Sequence, residues 1–183
     1  MIPAVKYHST LQALAAGQLI AYPTEAVWGL GCDPRNESSV NQLLELKQRD
    51  WRKGMIVVFS DYQQIAPIIE QLSDEQRQKL DDYWPGPNTL LVKHGGFFPD
   101  WVTGQREKIA LRFSAHPGVQ KLCQLAGPII STSANLSGKP PCRHRWQVLS
   151  HFQHKVAAIA PGHCGTLAQP TSITDLETGQ KIR

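Results

Sequence analysis

Apolar positions in this chain come in short runs, some with a helical period and some nearly continuous. Ser9 stands as an N-cap before Leu11, Leu14 and Ala15, which predicts a helix ending near Gly17. Residues 19–22 then read as a buried strand running into Pro23. From Glu37 onward, Val40, Leu43, Leu44 and Lys47 fall at i, i+3, i+4 and i+7, which predicts a second helix. Residues 55–59 form a further buried strand and 61–71 a helical segment. Ser73 and Gln76 have the spacing of a capping box, opening a helix that stops at Trp84-Pro85-Gly86-Pro87.

Strands are predicted over 89–93 and 109–113, with a loop over 95–105 between them. A helix follows over 116–126, with Pro117 tolerated in its first turn. Ile129-Ile130 opens another strand, 145–153 is a short helix, and 156–160 and 172–176 are the last strands before a turn at Glu177-Thr178-Gly179. Helices and strands alternate, which predicts an α/β fold with a largely covered sheet. No repeat, low-complexity tract or linker breaks the series, so residues 1–183 are expected to form a single domain.

Composition narrows the class only a little. Hydrophobic content of 41% with 19% charged residues is that of an ordinary globular protein. A net charge of +4 suits nucleic acid or phosphate-bearing small molecules without selecting either. No apolar run approaches the ~18 residues of a membrane span, and MIPAVKYHST lacks the basic start and apolar core of a signal peptide. Cys32, Cys123, Cys142 and Cys164 form no C-x-x-C pair, so a reduced cytoplasmic protein is expected, with no membrane partner. Cys142, His144, His163 and Cys164 lack the usual ligand spacings, so no protein-held metal is assigned.

Several common motifs are missing. There is no G-x-x-x-x-G-K-[ST], no G-x-S-x-G and no H-E-x-x-H, and Gly29-Leu30-Gly31 fails as a dinucleotide loop because Pro34 stands where its last glycine belongs. In LELKQRDWRKG, Lys47, Arg49, Arg52 and Lys53 cluster just before a buried strand. Such a group suits a polyphosphate; a solvated basic face or an RNA-contacting patch are the alternatives. Thr24, at the end of a strand in YPTEAVWGLGCD, either meets a ligand or organises a glycine-spaced turn. Arg112 lies inside the apolar strand of ALRFSAHP and requires an edge position or an anion, either internal or from a substrate. STSANLSG follows an apolar run with hydroxyls and one amide, a surface suited to phosphate, ribose or an amino acid, or else a turn-rich connection.

Taken in order, PTEAVWGLG, ELKQR followed by KG, WPGPNT, ALRFSAHP, STSANLSGKPP and PTSITDLETG resemble the Sua5/YciO/YrdC family, over about residues 11–181. The resemblance is to its short form, so the extra C-terminal domain of the longer Sua5 form is not expected. It implies a twisted open mixed sheet with helices packed on it and a concave basic cavity. It also implies an enzyme that joins L-threonine, bicarbonate or CO2, and ATP with Mg²⁺ into L-threonylcarbamoyladenylate, releasing pyrophosphate. A separate threonylcarbamoyl transferase complex then uses that product to make the t6A modification of tRNAs reading codons that start with A. Contact with tRNA or double-stranded RNA is part of the same expectation.

Carried over by motif, Lys47 and Arg49 match the family's K-x-R and are expected to be catalytic, on the triphosphate, with Lys53 and Lys108 as additions. Ser133 and Asn135 are expected at the nucleotide, and Thr24, Arg112, Ser131 and Thr171 at the threonine. The chain departs from the pattern at Asp50, where proline is usual, at Ala26, which lacks a hydroxyl, at Trp28 in place of tyrosine and at Thr171 in place of serine. Two other readings stay open: an RNA-binding or ribosome-maturation factor of the same fold, and a carbamoyl-transfer relative acting on another amine.

Overall fold

The computed structural model describes residues 4–136, 138–168 and 171–182. Its helices are α1 (His8–Ala15), α2 (Glu37–Lys47), α3 (Ala66–Ile69), α4 (Asp74–Tyr83), α5 (Asp100–Thr103), α6 (Pro117–Ala126) and α7 (Arg145–Phe152). Its strands are β1 (Ile20–Pro23), β2 (Trp28–Gly31), β3 (Ile56–Phe59), β4 (Asn88–Lys93), β5 (Lys108–Phe113), β6 (Ile129–Ser133), β7 (Ala158–Ile159) and β8 (Ser172–Asp175). They form one mixed sheet in the order β7-β1-β2-β6-β3-β5-β4-β8. β1–β7, β3–β5 and β4–β8 are parallel pairs, and the others are antiparallel.

The alternation of side chains along each strand divides the sheet into two unequal faces. One face carries Ala21, Leu30, Val57, Phe59, Leu111 and Ile130, and is covered by apolar residues of α2, α3, α4, α5 and α7. The other carries Ile20, Tyr22, Val58 and Ile129 under Leu14 of α1 and Val119, Leu122 and Cys123 of α6. Those two helices reach only part of it. Beyond them the same face continues as Ser131 and Ser133 on β6, Ile56 on β3, and Ala110 and Arg112 on β5, all lining a cavity. The sheet is therefore less completely covered than the strand pattern predicts, and the bare part is where polar residues interrupt the apolar runs.

Five local expectations change. Ser9 lies inside α1 rather than at its cap; a 3₁₀ turn, Ala4–Tyr7, feeds the helix directly and Tyr7 occupies the N-cap position without a side-chain hydrogen bond. Trp28–Gly31 is a strand and not a turn, pairing β1 on one side and β6 on the other. Its glycines fit because the sheet is tight there: a Cβ on Gly31 would stand 2.2 Å from the Ile130 carbonyl oxygen. The segment 61–71 divides into a 3₁₀ turn, Tyr62–Ile65, and α3, and the loop 95–105 contains α5. The last predicted strand before β8 shrinks to Ala158–Ile159 at the sheet edge. The capping box at Ser73 is present, with Ser73 Oγ accepting from Gln76 N–H at 3.2 Å and Gln76 Oε1 from Ser73 N–H at 3.1 Å.

Candidate active site

The cavity on the open part of the sheet has a volume of about 860 Å³. Among the described residues five cations line it, Arg49, Lys53, Arg106, Lys108 and Arg112, against one carboxylate, Glu107. Thr24, Ser131, Ser133 and Thr171 line it as well, so eight of the ten residues expected at the site face one space. Lys47 and Asn135 are absent from the lining and are bound to each other beside it.

The end of α2 decides where its cations go. Gln48 closes the helix in the left-handed conformation, φ 47°, and Arg49 N–H reaches back to Leu44 O at 2.9 Å. The chain turns there, so Lys47 and Arg49 diverge. Lys47 Nζ donates to Ser133 O at 2.8 Å, Asn135 O at 2.6 Å and Asn135 Oδ1 at 2.5 Å. All three ammonium protons thus go to neutral oxygens of the STSAN loop. Burial, reinforced by the Arg49 charge, pushes the Lys47 pKa down to about 8. Asn135 Oδ1 also accepts from Ser133 Oγ at 2.7 Å, and Asn135 Nδ2 donates to Leu136 O and Lys139 O. Lys47 pins the loop in this state; Ser137 of the same loop lies outside the described residues.

Arg49 precedes and Lys53 ends a 3₁₀ turn, Trp51–Lys53, that packs against α5. Arg49 Nη2 donates to Gly54 O at 2.8 Å, and Met55 N–H to Val102 O at 2.8 Å. Gly104, at φ 67°, is required at this junction, since a Cβ there would stand 2.7 Å from Arg52 O. The junction delivers Arg106, whose Nε donates to Arg52 O at 3.0 Å, to the same cavity. Sequence reasoning missed Arg106; the only local signal was an arginine soon after a glycine in a segment taken for loop. Asp50 forms an ion pair with Arg52, Oδ2 to Nη2 at 2.9 Å, and that hydrogen-bonded partner holds its carboxyl below the usual range. Lys108 is paired with Asp175 and Glu177, each at 2.8 Å, so its charge is largely compensated within the protein.

Arg112 is buried on β5, opposite Val58 in the sheet register. Its Nη1 donates to Thr171 Oγ1 at 3.2 Å, and Thr171 Oγ1 lies 3.3 Å from Thr89 Oγ1. The anion required by the sequence includes an internal one: Glu25 Oε2 stands 3.8 Å from Arg112 Nη2. Burial works to raise the Glu25 pKa, but the Arg112 charge and the Ser114 hydrogen bond outweigh it and leave the carboxyl lowered. Thr24 donates its hydroxyl to Val27 O at 2.7 Å, so it organises the β1–β2 turn while also lining the cavity. Three lining residues carry a buried polar atom with no hydrogen-bond partner: Trp28 Nε1, Thr103 Oγ1 and Arg112 Nε. Among the described residues no group of three His, Cys, Asp or Glu side chains is placed to hold a metal, and Cys142 Sγ meets His151 Nδ1 at 3.7 Å instead.

An open mixed sheet carrying a cation-lined, hydroxyl-rich cavity on one face defines an anion-binding α/β protein. The family model Sua5_yciO_yrdC, described as Telomere recombination, matches residues 12–183, and the chain belongs to that Sua5/YciO/YrdC family. It is 47% identical to the threonylcarbamoyl-AMP synthase of Pseudomonas aeruginosa (strain UCBPP-PA14) over 183 residues, covering all of this chain and 99% of the relative. It is 46% identical to the threonylcarbamoyl-AMP synthase of Cellvibrio japonicus over 182 residues, 99% of this chain and 95% of that one. Among solved structures, the crystal structure of P. abyssi Sua5 complexed with L-threonine superposes with a TM-score of 0.89 at 28% identity, covering 99% of this chain and 54% of that chain. E. coli YciO shares the fold with a TM-score of 0.83 at 20% identity, covering 98% of this chain and 88% of that one.

Proposed function

We propose that this chain is the enzyme that condenses L-threonine, bicarbonate or CO2, and ATP into L-threonylcarbamoyladenylate with release of pyrophosphate, for t6A modification of tRNA. The whole chain is read as one catalytic domain. The observation that carries the reading is the cavity: Arg49 and Lys53 share it with Arg112 and Thr171, in a chain 47% identical end to end to a threonylcarbamoyl-AMP synthase.

The chemistry asks for positioning and charge rather than a covalent enzyme intermediate. Threonine's amine becomes a carbamate, a carbamate oxygen attacks the α-phosphorus, and pyrophosphate leaves. Negative charge grows on phosphate oxygens, and Arg49, Lys53 and Arg106 line the cavity where they can offset it. Lys108 contributes less because Asp175 and Glu177 already hold it. Lys47 acts on the triphosphate by leaving the Ser133 and Asn135 oxygens, which frees the loop to close on the nucleotide. Ser133 and Asn135 then serve the nucleotide, and Thr24, Ser131, Thr171 and Arg112 the amino acid, whose carboxylate pairs with the Arg112 guanidinium at the cavity wall.

Among the described residues the lining does not fit a protein-held divalent cation, since Glu107 is its single carboxylate beside five cations. The residues present would leave Mg²⁺ to arrive as part of the ATP substrate, where it would supply further charge neutralisation at the phosphates. RNA contact is supported by a charge asymmetry: residues 108–174 contain no Asp or Glu and seven Lys or Arg. No helix among the described residues is long and apolar enough to cross a membrane. The cytoplasmic location belongs to the proposed reaction, whose product feeds a transferase complex acting on tRNA.

The test is direct. Purified protein with ATP, Mg²⁺, bicarbonate and labelled threonine is expected to yield pyrophosphate and labelled threonylcarbamoyladenylate without RNA. No product, beside a working authentic enzyme, ends the reading. Product formed faster from another amino acid points to the carbamoyl-transfer alternative.

A further inference from the structure

The buried pair Glu25–Arg112 has unspent capacity on both sides. Arg112 Nε has no hydrogen-bond partner, and neither has Glu25 Oε2. The Nη2 to Oε2 separation is 3.8 Å, well beyond the ~2.8 Å of a charge-assisted hydrogen bond. This slack does not come from loose anchoring. Glu25 Oε1 accepts from Ser114 Oγ at 2.6 Å, and Ser114 Oγ accepts from His116 N–H at 3.2 Å. Arg112 Nη1 is fixed on Thr171. Both groups are therefore held by other partners, close enough to feel each other's charge but short of a full bond. Arg112 lines the cavity, and Glu25 stands beside it without lining it.

We infer that Glu25 is a positioning residue that sets specificity: it makes this part of the cavity select zwitterions, with an ammonium beside the carboxylate, over plain carboxylates. The inference rests on the proposed threonine-dependent reaction and adds to it. Arg112 alone would attract any carboxylate, bicarbonate included. With Glu25 beside it the pair is neutral, so a bare carboxylate placed on Arg112 would lie next to a buried carboxylate that Arg112 no longer fully offsets. Lys108 does not compensate, because two carboxylates already occupy it. An amino acid brings its own positive charge and leaves the place neutral. Glu25 thus keeps the second anionic substrate, bicarbonate, from settling where the amino acid belongs, while Ser114 holds the carboxylate back from closing onto Arg112.

The experiment is calorimetric binding without ATP, comparing L-threonine with 3-hydroxybutyrate, which is threonine without its amine. Wild-type protein is expected to prefer threonine by at least about tenfold. Glu25→Gln is expected to narrow that preference to about threefold, mainly because 3-hydroxybutyrate binds more tightly. Glu25→Asp and Ser114→Ala keep the charge and are expected to keep the preference. A purely structural role would weaken both ligands together and leave the ratio unchanged, and that result in a folded Glu25→Gln overturns the inference. So does a wild-type ratio below about threefold, whether or not any variant folds. Wild-type protein that binds threonine but fails these comparisons overturns the inference alone. Protein that binds neither ligand overturns the proposed reaction with it.

Discussion

Ile129, Ser131 and Ser133 project from the same face of one strand, yet Ile129 is sealed in the core under α6 while the two serines line the cavity. The same division runs across the sheet: on β3, Val58 is covered and Ile56 lines the cavity. Burial by a helix and service to a ligand are thus adjacent fates for one row of side chains. What separates them is the reach of α1 and α6. Under the helices the row is aliphatic and contributes stability through apolar burial. Beyond them the row includes the Ser131 and Ser133 hydroxyls and Arg112, groups that leave polar capacity for something outside the chain, with Ile56 and Ala110 between them.

The largest break in this comparison comes from Arg112→Met beside Ile129→Val. Arg112→Met removes the guanidinium paired with Glu25 and leaves that carboxylate buried with the largest of its lowering influences gone, so its pKa rises. Turnover with threonine is expected to fall at least ~100-fold, with a stability loss of roughly 3 kcal/mol in denaturant melts. Ile129→Val is expected to cost about 1 kcal/mol of stability and to leave turnover within twofold. Near-normal turnover in Arg112→Met, or a large loss in Ile129→Val, would abolish the distinction between the two parts of the row.

The covered part was the legible one. Periodicity located α2, which buries an apolar stripe of Val40, Leu43 and Leu44, and apolar runs located most strands, while the capping box at Ser73 located α4, which buries little more than Leu80. β2 was hidden, since Gly29 and Gly31 signal a turn locally and only the close approach of β1 and β6 makes them strand residues. In the site, motif order brought together Thr24, Arg49, Arg112 and the serines, which lie on separate elements. Arg106 stayed invisible because a tertiary contact through Gly104, not any local pattern, places it. The contact made by Lys47 was equally hidden. A sequence shows that an ammonium exists but not that three loop oxygens already hold it.

That latch gives a smaller and sharper effect. Lys47 is pushed down to about 8 from the usual lysine value of 10.5. Between those values the unfolded chain keeps the proton that the folded chain has released. Its contribution to stability therefore rises with pH across that window and is flat below about 8. Urea melts between pH 7 and 10 are expected to show this rise in the wild type and its loss in Lys47→Met. Equal slopes in the two proteins would mean that the loop oxygens hold Lys47 as easily as water does.

The smallest effect concerns Asp50, on the cationic side of the cavity. Its ion pair with Arg52 is exposed, with the Arg52 side chain 73% accessible, so breaking it should matter little to folding. Asp50 Oδ1 also accepts from Arg52 N–H at 3.0 Å, a contact that the amide oxygen of Asn can keep. Asp50→Asn then changes one thing, the negative charge beside Arg49 and Lys53. The apparent KM for ATP is expected to fall by up to about threefold at low salt, with kcat within twofold. The gain should fade as ionic strength rises, because a solvent-exposed charge is screened over about a Debye length of 10 Å at 0.1 M salt. An unchanged KM at low salt would confine Asp50 to its own turn. A gain that survives high salt would place the Arg52 guanidinium on the triphosphate itself, extending the open part of the site past the edge of the cavity.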